Sequence, residues 1–503
     1  MKHIKFYFGV RLGILSALLS GGFFLAGCYH PAAETALNEY VAPSADVAWT
    51  PPAGATIGTE PKAASVDIPE NLLKPGAKWQ LLDIIEVALQ NSPETRSAWY
   101  SARSAAADWL SKKGGNYPEI NGGAGIRRID NLTSTNRTGP SETSLEPTLE
   151  LSWLLFDFGG RKASVEEKRQ ALIVADFIHN ATVQDQVFLV LRTYFEYASA
   201  RALERALATS LDEAATNLQA AQDRHQNGLA TIADVLQAKT ALSQARLNLD
   251  GAQGQVQTIR GALATAMGIP ANTACDIEDL PMNPPVDRVS EAVEDYIKRA
   301  EENRPDLAAQ KSRVEESMAH IRTVRSAIYP SLVLSNTMGG TLDNQGAGFR
   351  ADNTAALNIV VPLFNGSSRR YDLFKAKQDA NVQEAQLRSL EQSVILQVWS
   401  SYFSLKTSAQ QVKTVEDLLA SAAQSYEVAL GRYKEGVGGL LDLLSAQSAL
   451  MDARARQVSA QADWYISFSQ LARDTGVLWS AAPEDNKHLL DTFPTAPVKE
   501  HQP

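Results

Sequence analysis

Long stretches of this chain place apolar residues three and four positions apart, which is the spacing of an amphipathic helix. The longest, over 161–227, contains neither Pro nor Gly and as a helix would reach about 100 Å. After a short turn the apolar seam resumes over 235–266, where several of its positions are Ala. This pattern predicts long helices that pack closely side by side, as in a coiled coil.

Four shorter stretches alternate apolar and polar residues, and this period of two predicts β-strands. Two of them run over 120–126 and 145–155, with a polar loop between them, and a second pair returns near residues 332 and 357. Each pair of strands is followed by helical stretches of unusual length. The chain is therefore predicted to be an α+β protein.

The second half of the chain repeats the first. Gly228 is matched by Gly436, and Phe156 by Phe364, each pair 208 residues apart. Nearer the amino terminus, the Tyr-Pro pair that ends at Pro118 recurs 212 residues later. The four-residue difference falls in a loop region, where insertions are tolerated. We therefore expect two tandem copies of one structural unit.

The predicted organisation has six segments. They are a signal peptide over 1–27, an extended tether over 28–78, a first repeat over 79–270, a linker over 271–286, a second repeat over 287–480 and a mobile tail over 481–503. In the first repeat we expect strands over 117–128 and 145–157, and helices over 79–113 (interrupted at Pro93), 160–227 and 231–267. In the second we expect strands over 330–340 and 354–364, and helices over 287–328, 367–435 and 440–475.

The amino terminus has the pattern of a secretory signal. Basic residues precede an apolar run over 12–26, which is shorter than the roughly 20 residues that span a bilayer as a helix. The run ends in Leu-Ala-Gly-Cys, which resembles a bacterial lipobox and predicts that Cys28 is lipidated; the alternatives are an ordinary cleaved signal or an uncleaved anchor. Tyr29 follows instead of the Asp that retains lipoproteins in the inner membrane of enteric bacteria, and this points to the outer membrane.

Composition narrows the function further. The net charge of −10 argues against nucleic acid as a partner. The seven His residues are scattered, the six Met residues do not cluster, and we identify no nucleophile with an adjacent base, so we predict no metal, no cofactor and no enzymatic activity. Glu166-Glu167 and Glu315-Glu316 are interpreted as solvated helix faces. Cys275 is expected to be a buried or incidental thiol.

The number of predicted strands limits how the chain could form a barrel in a membrane. A strand-built membrane segment must form a closed barrel, and known barrels begin at about eight strands. Four strands per chain are too few. Two copies would give eight strands and a lumen filled by side chains, whereas three copies would give twelve strands and leave a pore.

Together these features resemble the TolC family of outer-membrane efflux channels, in its lipidated drug-efflux branch. The resemblance covers about residues 79–478 and is carried by the lipobox, the doubled strand–helix–turn–helix unit, the Tyr-Pro strand entries, the strand ends at 153–157 and 361–365, and the two Arg-x-x-x-Gly turns. It implies a homotrimer with a twelve-stranded barrel in the outer membrane of a Gram-negative bacterium and a tunnel of helices in the periplasm. The implied partners are outer-membrane lipid, a periplasmic adaptor (membrane fusion) protein and an inner-membrane transporter, often of the proton-driven RND type.

The resemblance also assigns the two helix turns. It implies that an adaptor docks at the periplasmic tip. The residues concerned are Gly228, Leu229, Thr231, Gly436 and Val437. The family usually has Ser or Thr at the fourth turn position, which Thr231 matches and Gly439 does not. The simpler interpretation of both turns is helix reversal alone.

By the same resemblance, Leu441 and Asp442 form a periplasmic gate at the start of the second turn's helix. Three copies of Asp442 around an axis would repel one another and favour cations. Some members carry a further Asp where Ser445 stands, so the acidic constriction would be weaker here. The alternative is that Asp442, like Asp234, is a carboxylate that suits the first turn of a helix.

The function implied is passive export of drugs or other toxic small molecules. One alternative is the duct of a type I protein secretion system, whose members usually lack a lipobox. Another is a structural coiled-coil lipoprotein without a pore, which the strands argue against. A surface enzyme is the weakest option.

Overall fold

A computed structural model of the protein describes residues 68–69, 78–129, 142–273, 275–277, 284–286, 292–343 and 349–478. The described residues belong to one compact unit that begins at Asp67. The predicted signal peptide, Cys28, nearly all of the predicted tether and the predicted tail lie outside them.

The order of elements repeats along the chain. The first half contains β1 (Lys78–Trp79), α1 (Leu81–Asn91), α2 (Pro93–Gly114), β2 (Glu119–Ile129), β3 (Glu142–Phe156), α3 (Gly160–Gln226) and α4 (Ile232–Ala266). After β4 (Asp276–Ile277), the second half contains α5 (Val293–Asn303), α6 (Pro305–Ser326), β5 (Ser331–Asp343), β6 (Phe349–Val360), α7 (Ser368–Lys434) and α8 (Leu440–Asp474). The long helices α3 and α7 have 67 residues each, and α4 and α8 have 35 each, so the halves match element by element.

The predicted break at Pro93 separates α1 from α2. The hydroxyl oxygen of Ser92 accepts a hydrogen bond from the amide of Thr95 at 3.3 Å, and Pro93 follows as the first residue of α2. The predicted start of this helical region at residue 79 is wrong. Trp79 is buried in β1 and pairs in parallel with Ile277 of β4, inside the segment predicted to be a plain linker.

The fourth strand of the sheet also differs from its predicted span of 354–364. β6 begins earlier, at Phe349, and ends at Val360. Pro362 has no amide hydrogen for a ladder bond, so pairing stops before it. The chain then turns into α7 through Gly366 and Ser367, whose φ angles are +66° and +70°.

The four longer strands form one antiparallel sheet in the order β2–β3–β5–β6. Residues in register form alternating rows across all four strands, apolar on one face and polar on the other. An apolar row is Ile126–Leu145–Leu342–Phe349, and a polar row is Asn121–Glu150–Thr337–Thr354. All four side chains of that apolar row are exposed. The sheet of a single chain therefore leaves its apolar face uncovered.

The long helices form a layer one helix thick. Near the sheet the helices lie in the order α2–α3–α6–α7, and farther from it in the order α4–α3–α8–α7. Helices α3 and α7 run through both regions, while the shorter helices succeed one another beside them. The layer therefore has two edges, one formed by α2 and α4 and the other by α7.

The main hydrophobic core lies where the shorter helices succeed one another. It joins α1, β1 and β4 to the middle of α3 and α7 and to the carboxyl-terminal ends of α4 and α8. Trp79 and Trp464 are fully buried there, and the rings of Phe195 and Tyr465 stack with centroids 4.8 Å apart. The thiol of Cys275 is also buried in this core, as predicted.

No helix within the described ranges is both long and apolar enough to pass through a membrane.

The interpretation of the two Glu pairs as solvated is wrong for one member of each. Glu167 lies between α3 and α6, where its Oε1 is 3.2 Å from His320 Nδ1 and its Oε2 accepts a hydrogen bond from Thr323 Oγ1 at 3.2 Å. Burial and the negative charge of Glu167 raise the pKa of Glu316. Its neighbour Glu315 is exposed, as predicted. Packing of α6 on α3 therefore creates an acidic contact that neither helix shows alone.

Because the pKa of Glu316 is raised in the folded protein, its ionisation opposes folding. Stability should therefore fall as the pH rises above the ordinary carboxyl value of 4.5 and through the raised pKa. Glu316→Gln should flatten this decline and raise the melting temperature at neutral pH by on the order of 1 °C. Scanning fluorimetry of the purified protein across pH measures both effects. Glu315→Gln is the matched control, and identical curves for the two variants would contradict the assignment.

Candidate functional site at the two helix turns

The turn between α3 and α4 ends its incoming helix as the sequence predicts. Gly228 takes a φ of +76°, which favours glycine because it carries no Cβ. Its amide donates to the carbonyl of His225 at 2.9 Å, and the amide of Leu229 donates to the carbonyl of Arg224 at 2.8 Å. These two bonds form a Schellman motif, which satisfies carbonyls at the end of α3.

The turn between α7 and α8 repeats this geometry. Gly436 takes a φ of +79°. Its amide donates to Tyr433 O at 3.1 Å, and the amides of Val437 and Gly438 both donate to Arg432 O at 3.0 Å. Both helix reversals are therefore fixed by backbone bonds.

The helices that leave the two turns begin differently. Thr231 caps α4: its Oγ1 accepts from the Asp234 amide at 3.2 Å, and its own amide donates to Asp234 Oδ2 at 2.8 Å, which is the predicted capping box. At the start of α8 the equivalent cap residue, Gly439, has no side chain to return such a bond. Asp442 is exposed and forms no hydrogen bond or ion pair with any residue that the structure describes. Asp234 and Asp442 occupy equivalent positions in the two repeats, but the carboxylate of Asp234 is hydrogen-bonded in a cap and that of Asp442 is not.

One side chain joins the two turns. Arg224 of α3 donates through Nη1 to the carbonyl of Tyr433 in α7, and its guanidinium carbon lies 4.8 Å from the centre of the Tyr433 ring. Tyr433 is buried, and this desolvation raises the pKa of its hydroxyl. The contact combines a charged hydrogen bond with a cation–π interaction. It therefore holds the end of α3 against the end of α7.

The turns present apolar side chains to their surroundings. Leu229, Ile232, Val437 and Leu441 are 68%, 58%, 69% and 67% exposed, whereas Leu440 is buried. Of the residues assigned by resemblance to docking and gating, the structure thus places Leu229 and Val437 at the outside of the turns and Leu441 beside them on α8. Together they form an exposed apolar tip on a hydrogen-bonded support.

Polar contacts behind the tip fix α8 against α3. Asn217 Nδ2 donates to Gln447 Oε1 at 2.9 Å, and both side chains are buried. Arg454 holds Glu213 through two hydrogen bonds of 2.9 and 3.1 Å. These bonds between distant parts of the chain set the position of the turns relative to each other.

The sequence marked Arg224 only as the first residue of an Arg-x-x-x-Gly turn, and its contact with Tyr433 and the polar contacts behind it were not predicted. The sequence did contain one indication for Tyr433. The first repeat has His225 at the equivalent position, and such a difference between the two copies indicates a position where their roles can diverge. The ring of His225 stays within its own turn, with Nδ1 2.9 Å from Ala230 O. Arg432, the counterpart of Arg224, likewise donates to Val437 O of its own turn, at 3.5 Å.

The described repeats coincide with a known protein family. The outer membrane efflux protein family matches residues 84–269 and 296–477. Because this match covers more than half of the chain, the protein belongs to that family, which comprises channels of efflux systems and not enzymes. The resemblance to outer-membrane efflux channels that was drawn from the sequence is confirmed.

Individual relatives extend over most of the chain. Protein CyaE of Bordetella pertussis is 28% identical over 421 residues, which are 82% of this chain and 86% of that protein. The antibiotic efflux pump outer membrane protein ArpC of Pseudomonas putida is 24% identical over 467 residues, 90% of this chain and 94% of ArpC. The crystal structure of the outer membrane protein VceC from Vibrio cholerae covers 79% of this chain and 96% of its own, at 20% identity and a TM-score of 0.69. The chain therefore has the fold of these outer-membrane proteins.

Loss of the contact between the turns should loosen the second turn. Arg224→Ala removes both the bond to Tyr433 O and the contact with its ring, so amide exchange of residues 436–439 should quicken about fivefold, the effect of a net contribution near 1 kcal/mol. Hydrogen–deuterium exchange with mass spectrometry measures it.

Tyr433→Phe is the matched control for that experiment. Arg224 contacts the ring and the carbonyl, and the Tyr433 hydroxyl has no hydrogen-bond partner among the described residues. Exchange in Tyr433→Phe should therefore equal that of the wild type. Unchanged exchange in Arg224→Ala would show that the backbone bonds alone fix the turn.

Proposed function

We propose that the protein is the outer-membrane channel of a tripartite efflux pump. Drugs or other toxic small molecules, delivered by an inner-membrane transporter of the RND type and a periplasmic adaptor, would leave the cell passively through it. Membership of the efflux family and the name of ArpC, an antibiotic efflux pump component, support this function. The observation that carries it is that the described residues of one chain form a wall with two open edges and enclose no lumen.

The sheet supports closure by three copies. Strands β2 and β6 are its outer strands, so each leaves one row of backbone groups without a partner in the sheet. Joining β6 of one copy to β2 of the next would close twelve strands in a trimer, with the apolar rows toward lipid and the polar rows toward the lumen.

The helical layer supports the same closure. Its two edges would meet between neighbouring copies, giving twelve helices in section. The edge formed by α7 carries large exposed apolar side chains, among them Tyr371 and Phe374, which are 70% and 60% exposed. Burial against α2 or α4 of a neighbour would remove this surface from water, which favours association. The tunnel so formed would extend the barrel into the periplasm.

This assembly is tested with the purified full-length protein. Light scattering should give three times the mass of one chain, and planar bilayers containing the protein should show discrete conductance steps. Phe374→Glu, which places a charge on the proposed interface, should lower the trimer fraction, whereas Phe374→Leu should not. A stable, non-conducting monomer would overturn the proposal.

We also propose that the mature protein is anchored to the outer membrane through Cys28. The support is the lipobox resemblance alone, since this residue lies outside the described ranges. Cells given labelled palmitate should incorporate it into the wild type and not into Cys28→Ser. Equal labelling of the wild type and Cys28→Ser would contradict the proposed anchor.

The exposed tip is the proposed adaptor-docking surface. A periplasmic hairpin of helices could bury Leu229 and Val437, while Gly228, Thr231 and Gly436 keep the turns in shape. Leu229→Asp and Val437→Asp should each weaken co-purification of the adaptor by about tenfold, as expected for buried interface anchors. Ser243→Asp, an exposed position farther along α4, is the control. Undiminished adaptor binding in both tip variants would place the docking surface elsewhere.

We propose that Leu441 and Asp442 narrow the channel at its periplasmic end. The carboxylate of Asp442 is exposed and makes no bond within the described chain, so it is available to face its copies across an axis. Asp442→Ala and Leu441→Ala should raise the resting conductance in planar bilayers. Asp234→Asn alters the equivalent carboxylate, which is engaged in the α4 cap, and should leave conductance unchanged. A rise in the control, or none in the gate variants, would contradict the assignment.

A further inference from the structure

A cleft lies along one side of the helical layer, midway between the sheet and the turns. It consists of two adjoining cavities. One, of about 620 Å³, lies among α3, α7 and α8, and the other, of about 390 Å³, lies among α3, α4 and α8. Both cavities are lined by Glu196, Asp463 and Ile466, so they form one continuous groove over α3 and α8.

The centres of the cleft and of the hydrophobic core lie on opposite sides of the same helices, and Ala200, Ile259 and Ile466 lie at the boundary between them. On α8, Trp464 and Tyr465 are buried in the core, while Asp463, Ile466 and Gln470 line the cleft. On α3 the two sets are also separated by about half a turn. The core set is Val187, Val190, Leu191 and Tyr194, and the cleft set is Arg192, Glu196, Ser199 and Leu203.

The position of the core indicates which side of the helical layer would face the tunnel. The elements that complete the core, α1, β1 and β4, add a further thickness to the core side of the layer. If these elements of three copies lay inside the tunnel, they would obstruct it. In the proposed trimer they therefore lie outside. The cleft then opens on the inner wall of the duct, and this placement rests on the proposed function.

The charges of the cleft leave one carboxylate available. Glu196 accepts a hydrogen bond from Arg192 at 2.9 Å, and Asp474 is paired with Arg473 at 3.2 Å. Asp463 has neither a hydrogen bond nor an ion pair to any residue in the described part of the chain. Burial raises the pKa of its carboxyl, and no nearby positive charge offsets that effect. The groove therefore contains a negative group without a cation to balance it.

The rest of the lining suits an amphipathic molecule. Leu203, Ile259, Leu396 and Ile466 provide apolar surface on either side of Asp463. Hydroxyl groups accompany them in the larger cavity, from Ser400, Ser401, Ser404 and Ser467. A site of this size with apolar walls and few polar groups is typical of those that bind small organic molecules.

We infer that this cleft binds organic cations, with a protonated amine against Asp463 and an aromatic or aliphatic body along the apolar walls. In the duct it would be a low-affinity binding site for such substrates as they move outward. Neutral or anionic molecules of the same shape would lack the ion pair.

The test uses the full-length protein in lipid nanodiscs, with empty nanodiscs as the blank. Rhodamine 6G, a cationic dye, should bind by fluorescence polarisation, and fluorescein, an anionic dye with a related ring system, should not. Asp463→Asn should weaken rhodamine 6G binding about fivefold, as for a partly exposed ion pair. Asp463→Glu, which keeps the charge, should retain most of it.

Asp452→Asn is the matched control. Asp452 lies on the same face of α8, three turns or about 16 Å from Asp463, and outside the cleft. It should bind rhodamine 6G like the wild type. Equal binding by wild type and Asp463→Asn, an equal loss in Asp452→Asn, or equal binding of fluorescein would overturn the site.

Conductance measured on the same preparations separates this inference from the channel proposal. A conducting protein whose dye binding ignores Asp463 refutes the cleft alone. Asp463-dependent binding by a protein that does not conduct supports the cleft and refutes the duct.

Discussion

The outer edges of β2 and β6 carry backbone amides and carbonyls that the four-stranded sheet does not itself pair. The helical layer ends in the same way, with α7 at one edge and α2 and α4 at the other. A wall with edges at both levels can be completed only by another copy of itself or by a different partner. The exposed apolar side chains of α7 lie at one such edge, whereas the uncovered apolar row lies on a face of the sheet, which pairing of the edge strands would not cover.

The two repeats share their architecture and diverge where function is proposed. Helices of equal length reverse through equivalent glycines with similar φ angles. Their turns nevertheless differ in chemistry. Asp234 is bound within a capping box, while Asp442 is not, because Gly439 stands where Thr231 caps the first copy. Duplication supplies the frame, and one difference in sequence, Gly439 in place of Thr231, leaves Asp442 without the bonds that hold Asp234.

The position of the core also divides the molecule into two sides. Trp79, Trp464 and the short elements around them thicken one side of the layer, which leaves the other side as bare helix surface. On that side the carboxylate of Asp463 has no positively charged partner among the described residues. In this layer, which is one helix thick, α3 and α8 therefore have both a face that packs in the core and a face that lines the cleft.

The sequence alone determined the elements whose signal is local. Helical and strand periods, the break at Pro93 and the glycine turns were readable because each depends on residues a few positions apart. The family resemblance added the docking and gate residues. Only the tertiary structure decided which residues from distant segments meet: Trp79 with Ile277, Arg224 with Tyr433, Glu167 with His320. These pairs are fixed by the packing of whole helices and strands, so no pattern within a short window of sequence contains them.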